Sequence, residues 1–277
     1  MNGLINLGNT CYMNSALQLF FNLDFISLFL KNNSSKSLIV KKLYDLNNIY
    51  INNKNKVLNP SEIKNYFGNK YELFNNYNQH DSSEFLIYLF ELIEKELNNN
   101  KILKSNININ MDTMIKCKLM RCLSESVTSS NDIFLPLPYS NDLTTSYRMY
   151  KENEKLEEDN KYFCEKCNKK TIARKKVVIK KWPRNLLILL NRYDNRLKNS
   201  GNNLNVPFVW RHNYRLEGGI IHAGNLFGGH YYYFGKKGND WFVFNDSSVK
   251  KVDENNINNL KNKAYILHFK MYGNIDE

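Results

Sequence analysis

Apolar residues recur at helical spacing in two stretches of the first hundred residues. Met13, Leu17, Phe20 and Phe21 mark one face, and Leu86, Leu89, Phe90, Ile93 and Leu97 mark another. Asp81 followed by Glu84 predicts a capping box where the second helix starts. Residues 52–59 are polar and end at Pro60, which predicts a loop. After residue 101 the texture changes. Short apolar runs at 106–110, 133–137, 177–179, 186–190, 214–222 and 264–269 alternate with polar ones and predict strands of a mostly antiparallel sheet. Residues 231–234 and 241–244 are aromatic, β-favouring runs. The turn residues 235–240 lie between them and predict a hairpin. The charged segment 141–161 predicts a loop or short helix, and no internal repeat is present. Helices first and strands later predict an α+β fold with two lobes and a cleft between them.

At 277 residues and 42% hydrophobic, the chain can bury one large core or two small ones. The apolar run 16–30 is interrupted by Asn22 and Asp24 and is too short and polar to span a bilayer. No basic-then-apolar leader begins the sequence, so secretion is not expected. Five cysteines with one Cys-x-x-Cys pair suit a reducing compartment, a metal site and one free nucleophile. The net charge of +12 biases the chain toward acidic partners. Much of it lies in Lys169-Lys170, Arg174-Lys175-Lys176 and Lys180-Lys181, which read as a solvated strand face with lysines guarding a sheet edge. No aromatic platform or reading motif for nucleic acid lies nearby. The abundance of Asn, Lys and Ile reads as codon bias.

Cys11 sits where a Gly- and Asn-rich turn, 6–10, runs into the first apolar helix. A helix N-terminus favours thiolate over thiol. If the aromatic hairpin folds about Lys237 and Gly238 without a bulge, Phe234 faces Trp241 and Tyr231 faces Phe244. His230 then comes opposite Asn245. A thiol, an imidazole and an amide are the parts of a cysteine-protease triad. Asp246 competes for the third place, because a carboxylate supports an imidazolium better than an amide does. Strand alternation points Asp246 to the other face, unless the strand ends there. Of the other histidines, His80, His212 and His268 lack a comparable setting. His222 lies in an apolar strand but has no polar partner one hairpin away. Cys164-x-x-Cys167 is half of a tetrahedral zinc site; Cys117 and Cys122, with four residues between them, offer the other half at a feasible spacing.

Five boxes, in order along the chain, resemble those of the ubiquitin-specific proteases, a family of deubiquitinases. They are Gly3–Ser15, Gln79–Leu86, Tyr162–Cys167 with Trp182–Tyr193, Gly228–Tyr231, and Phe244–Ser248. The resemblance implies a papain-like thumb at 1–100, fingers mainly at 101–180 and palm mainly at 181–277. It implies hydrolysis of the bond after the C-terminal glycine of ubiquitin, with ubiquitin and ubiquitinated proteins as partners and a cytoplasmic or nuclear setting. Cys11 would be the nucleophile, His230 the base, Asn245 its orienter with Asp246 in support, and Asn6 an oxyanion donor. Gln79, Asp81, Gly228, Gly229 and Tyr231 would meet the substrate tail, and Cys117, Cys122, Cys164 and Cys167 would hold structural zinc. The family usually spaces its first cysteine pair by two residues; if Cys122 were first, its partner would fall near Glu125. Two other readings remain at this point: a non-catalytic relative acting as a ubiquitin-binding or RNA-processing scaffold, and a protease for another ubiquitin-like modifier.

Overall fold

The computed structural model describes residues 1–273 except 54, 99, 123, 193–203, 212, 226 and 227. The first part of the chain is mainly helical. It runs β1 (Gly3–Leu4), α1 (Cys11–Phe20), α2 (Ile26–Asn33), α3 (Leu38–Asn52), β2 (Val57–Leu58), α4 (Ser61–Lys70), α5 (Ser82–Glu96) and α6 (Lys101–Ile107). Strands dominate afterwards: β3 (Ile109–Cys117), β4 (Glu125–Asp132), β5 (Phe134–Pro138), α7 (Leu143–Lys151), β6 (Glu154–Leu156), β7 (Tyr162–Cys164), β8 (Lys169–Thr171) and β9 (Ala173–Lys181). The last part comprises β10 (Asn185–Asn191), β11 (Val209–Trp210), β12 (Tyr214–Asn225), β13 (Gly228–Lys237), β14 (Asp240–Asn245), β15 (Ser248–Val252), α8 (Glu254–Lys261) and β16 (Ala264–Met271).

Two of the helix starts are set by side-chain caps. Ser37 accepts the Val40 N–H at the start of α3, and Asp81 accepts the N–H groups of Ser83 and Glu84 at the start of α5. The predicted face of α1 is only part of what it buries: all ten of its residues are buried. It is a central helix, with α5 on one side and β12, β13 and β14 on the other. Residues 57 and 58, inside the predicted polar loop, form β2 and pair in parallel with β1.

The large sheet runs β15-β14-β13-β12-β16-β10-β5, with β11 also on β12. Its pairs are antiparallel except β10 with β5. A second sheet, β4-β3-β9-β6, projects the middle of the chain, and β7 pairs β8 at its end. The sequence reading missed β4, whose residues Glu-Ser-Val-Thr-Ser-Ser-Asn-Asp carry no apolar alternation. It is an edge strand and mostly exposed, so no buried face imposes a pattern. The apolar run expected as a strand at 106–110 is instead the end of α6 and the start of β3.

Asp24, between α1 and α2, ties the helical lobe to the large sheet. Its carboxylate accepts from Arg184 Nε at 2.9 Å and Asn185 Nδ2 at 3.0 Å, and pairs with Lys270 Nζ at 3.0 Å. Burial pushes its pKa up, but the hydrogen bonds from Asn185, Lys270 and Arg184 outweigh it and hold the group at about 2.

Candidate active site

The turn before α1 is built from its own side chains. Gly8 has φ +97° and Asn9 φ +53°, both left-handed. Asn6 Oδ1 accepts the N–H groups of Gly8 at 3.0 Å and Thr10 at 3.1 Å, while Thr10 Oγ1 accepts the Leu7 N–H at 2.8 Å. This turn makes Cys11 the first residue of α1. Its thiol is buried, and burial is the main reason that its pKa is raised. Backbone hydrogen bonds from Tyr231, Tyr12 and Cys11 itself favour the thiolate, while the nearby Asp246 carboxylate opposes it. The helix end therefore acts in the expected direction, but desolvation wins and the resting thiol is not activated by position alone.

The hairpin closes differently from the simple register. Lys237 pairs with Asp240 around Gly238 and Asn239, so Phe234 faces Val243 and Tyr233 faces Phe244. Every pairing is displaced by two residues from the expectation, and His230 lies beyond the paired ladder. His230 Nε2 nevertheless donates to Asn245 Oδ1 at 2.6 Å. An amide oxygen can only accept, so Nε2 carries the proton. The contact survives because a two-residue shift leaves each side chain on its original face, and diagonal neighbours remain within reach.

Asp246 has φ +48° and ends the strand. Its carboxylate turns toward the Cys11 loop: Oδ1 accepts from Asn14 Nδ2 at 2.7 Å and Oδ2 from Asn6 Nδ2 at 2.9 Å. Its backbone oxygen accepts the Leu4 N–H at 2.9 Å. Asp246 thus fastens the hairpin end to β1, the turn and α1 at once. One N–H of Asn6 is used in this way, which leaves its second as the candidate oxyanion donor. The close seam explains Gly3: a Cβ there would lie 2.3 Å from the Ser247 carbonyl oxygen.

The residues expected to meet the substrate tail also converge. Gln79 Oε1 accepts the Gly229 N–H at 2.9 Å, and a Cβ on Gly228 would lie 2.8 Å from the same oxygen. Asp81 caps α5 through Oδ1 and accepts from Tyr231 Oη at 3.1 Å and Tyr265 Oη at 2.7 Å through Oδ2. Tyr265 went unremarked in the sequence because its strand carries no motif. His80 bonds Asn76 at 2.8 Å. His268 is fully buried, its pKa held down to about 3 by burial, and it bonds Asn185. His212 lies outside the described residues.

Cys117, Cys122, Cys164 and Cys167 bring their sulfurs within 4.8 Å of one another, so Cys117 and Cys122, rather than Cys122 and Glu125, complete the set. The Cys122 and Cys164 sulfurs are 3.8 Å apart. Tetrahedral zinc with Zn–S near 2.3 Å places its sulfurs about 3.8 Å apart, so the donor set suits that ion. The Thr171 hydroxyl, 3.3 Å from Cys117, pulls that thiol down to about 7. Hydrogen bonding to Cys122 pushes Cys167 up to about 12. None of the cysteines is in a disulfide.

The family model described as ubiquitin carboxyl-terminal hydrolase matches residues 2–269. Ubiquitin carboxyl-terminal hydrolase 12 of Salmo salar is 30% identical, with 91% of this chain aligned to 82% of that protein. Ubiquitin carboxyl-terminal hydrolase 46 of Caenorhabditis elegans is 29% identical over 91% of this chain and 79% of its own. Ubiquitin carboxyl-terminal hydrolase 4 of Vanderwaltozyma polyspora is 24% identical over 98% of this chain, which spans only 41% of that relative's length. Among solved structures, the SAGA DUB module of Ubp8, Sgf11, Sus1 and Sgf73 bound to monoubiquitin matches 99% of this chain and 69% of its own, with TM-score 0.78 and 21% identity. The fold is therefore the papain-like α+β fold of the ubiquitin-specific proteases. With a match across nearly its full length and these sites in their places, the chain belongs to the ubiquitin carboxyl-terminal hydrolase family.

Proposed function

We propose that the chain is the catalytic core of a thiol-dependent deubiquitinase that hydrolyses the (iso)peptide bond after the C-terminal glycine of ubiquitin. The observation that carries this reading is the 2.6 Å His230–Asn245 contact on the strand whose next residue, Tyr231, bonds the Cys11 thiol through its backbone. Asn245 occupies Nε2, so Nδ1 is left to take the thiol proton. The Cys11 sulfur attacks the glycine carbonyl, and the resulting oxyanion is met by N–H groups at the start of α1 and the second Asn6 N–H. Nδ1–H then protonates the leaving amine as the C–N bond breaks and a thioester remains. Water, deprotonated by His230, releases the acid and restores the thiol. Gly228 and Gly229 line the narrow side of the channel, where a Gly-Gly tail needs bare backbone. The monoubiquitin bound in the SAGA DUB structure supports the choice of modifier, and the intact Cys11 and His230 favour an enzyme over a scaffold. Four convergent thiols suit a reducing cytoplasmic or nuclear setting.

Ubiquitin carrying a C-terminal electrophile should form a one-to-one adduct on Cys11, located by peptide mass spectrometry. An adduct with another ubiquitin-like modifier but not with ubiquitin would overturn the substrate assignment. Zinc, held by Cys117, Cys122, Cys164 and Cys167, would act as a structural clamp between β3 and β7. Elemental analysis of protein purified without chelator should find about one zinc per chain. A folded, active, metal-free protein would show that packing alone holds these turns.

A further inference from the structure

His222 lies in β12, where the sequence offered it no partner and no role. The β12–β13 ladder sets it directly opposite Tyr231, so the two side chains share a face of the sheet. That face is opposite the one carrying His230. The His222 and Tyr231 rings stack with centroids 4.3 Å apart and planes 13° apart. The other end of the imidazole reaches under Gly229: a Cβ at that position would lie 2.5 Å from His222 Nε2. The Tyr265 ring, at 6.2 Å, closes a further side.

Gly229 and Tyr231 are the two residues that flank His230. One side chain therefore presses on the strand immediately before and immediately after the candidate base, from the face the base does not use. Both flanking residues are also fixed from elsewhere. Gly229 donates its N–H to Gln79, and Tyr231 donates its hydroxyl to Asp81 while its backbone bonds the Cys11 thiol. His222 is the element between these two anchors. Its shape suits the place: the group must be flat to lie on the tyrosine ring and thin to pass beneath a residue without a Cβ. A branched aliphatic side chain fills the same volume but cannot be flat.

We propose that His222 is a positioning residue, whose planar side chain fixes Gly229 and Tyr231 and through them aims His230 at the Cys11 thiol. The inference rests on Cys11 and His230 acting as a pair, as in the reading above, but not on ubiquitin being the substrate.

The test needs no substrate. Iodoacetamide alkylation of Cys11 in the full chain, followed by mass spectrometry of its peptide at pH 7.5, reads how well an imidazole assists the thiol. His230→Ala gives the floor. His222→Leu, which keeps the volume and loses the planarity, should slow alkylation at least fivefold toward that floor. His222→Gln, whose terminal amide is flat and reaches Gly229, should stay within twofold of wild type. Thermal melting checks that both variants remain folded. Equal rates for the Leu and Gln variants, whether both fast or both slow, would overturn the proposal. In turnover of a ubiquitin C-terminal amide, His222→Leu should lower kcat and leave KM within twofold. If the alkylation order holds but wild type does not turn over that substrate, the positioning role stands and the modifier assignment falls. If turnover proceeds and the alkylation order fails, only the role of His222 is lost.

Discussion

Cys11→Ala should lower cleavage of a ubiquitin C-terminal amide by at least about 10⁴-fold, the scale expected when a nucleophile is removed from a catalytic unit. Four of the five cysteines are gathered at the far end of the second sheet. Cys11 is the remaining thiol, and it alone touches the strand that carries His230. Its burial makes the comparison clean. Alanine removes one sulfur from a packed helix start, at a cost of about 1–2 kcal/mol, which a stable core tolerates. Binding of unmodified ubiquitin should persist, because the Gln79 and Asp81 contacts lie outside the lost atom. Residual activity within tenfold of wild type, with melting temperature unchanged, would remove Cys11 as nucleophile.

The second large effect separates two adjacent residues. Asn245→Ala should lower kcat/KM by about 10²–10³-fold, since the acceptor that fixes the His230 tautomer is lost. Asp246→Ala should cost less, about tenfold, through loosening of Asn6 and Asn14. A distinct signature accompanies it. The Asp246 charge opposes thiolate formation, so its removal should lower the Cys11 pKa. Alkylation of Cys11 below neutral pH should then quicken in Asp246→Ala even as turnover falls. In Asn245→Ala it should not. If Asp246→Ala damages kcat/KM far more than Asn245→Ala, Asp246 rather than Asn245 is the functional third member.

How much of this was legible differs from residue to residue. The meeting of His230 and Asn245 could be read from two aromatic runs and a turn, although the turn itself was misplaced. Side-chain parity in a strand is a robust signal, while the turning point depends on glycine geometry, here Gly238 with φ +63°. The inner strands of the large sheet were legible because they are apolar on a buried face, while its edge strand β15, mostly exposed, was not. β4 was not, since an exposed edge strand needs no pattern. The position of Asp246 could not have been foreseen from alternation, because its left-handed backbone takes it out of the strand. Nor could the role of His222, whose neighbours include a ring across the ladder and a residue without a Cβ. The cysteine set was half legible: one pair had a familiar spacing, while the four-residue gap between Cys117 and Cys122 holds a left-handed residue, Arg121 with φ +68°.

The seam formed by Asp246 joins segments far apart in the sequence: Asn6 and Asn14 on one side, the end of β14 on the other. This bears on how the protein comes into being on the ribosome. Cys11 emerges before Asn245, which is made 234 residues later. At roughly 5–20 residues per second, roughly 10–50 s separate the two. For most of that interval α1 lacks the β12 and β13 strands that cover it, and the thiol lacks the candidate base His230. The nascent chain therefore carries the thiol alone, and the candidate site can be assembled only after the strands bearing His230 and Asn245 have been made.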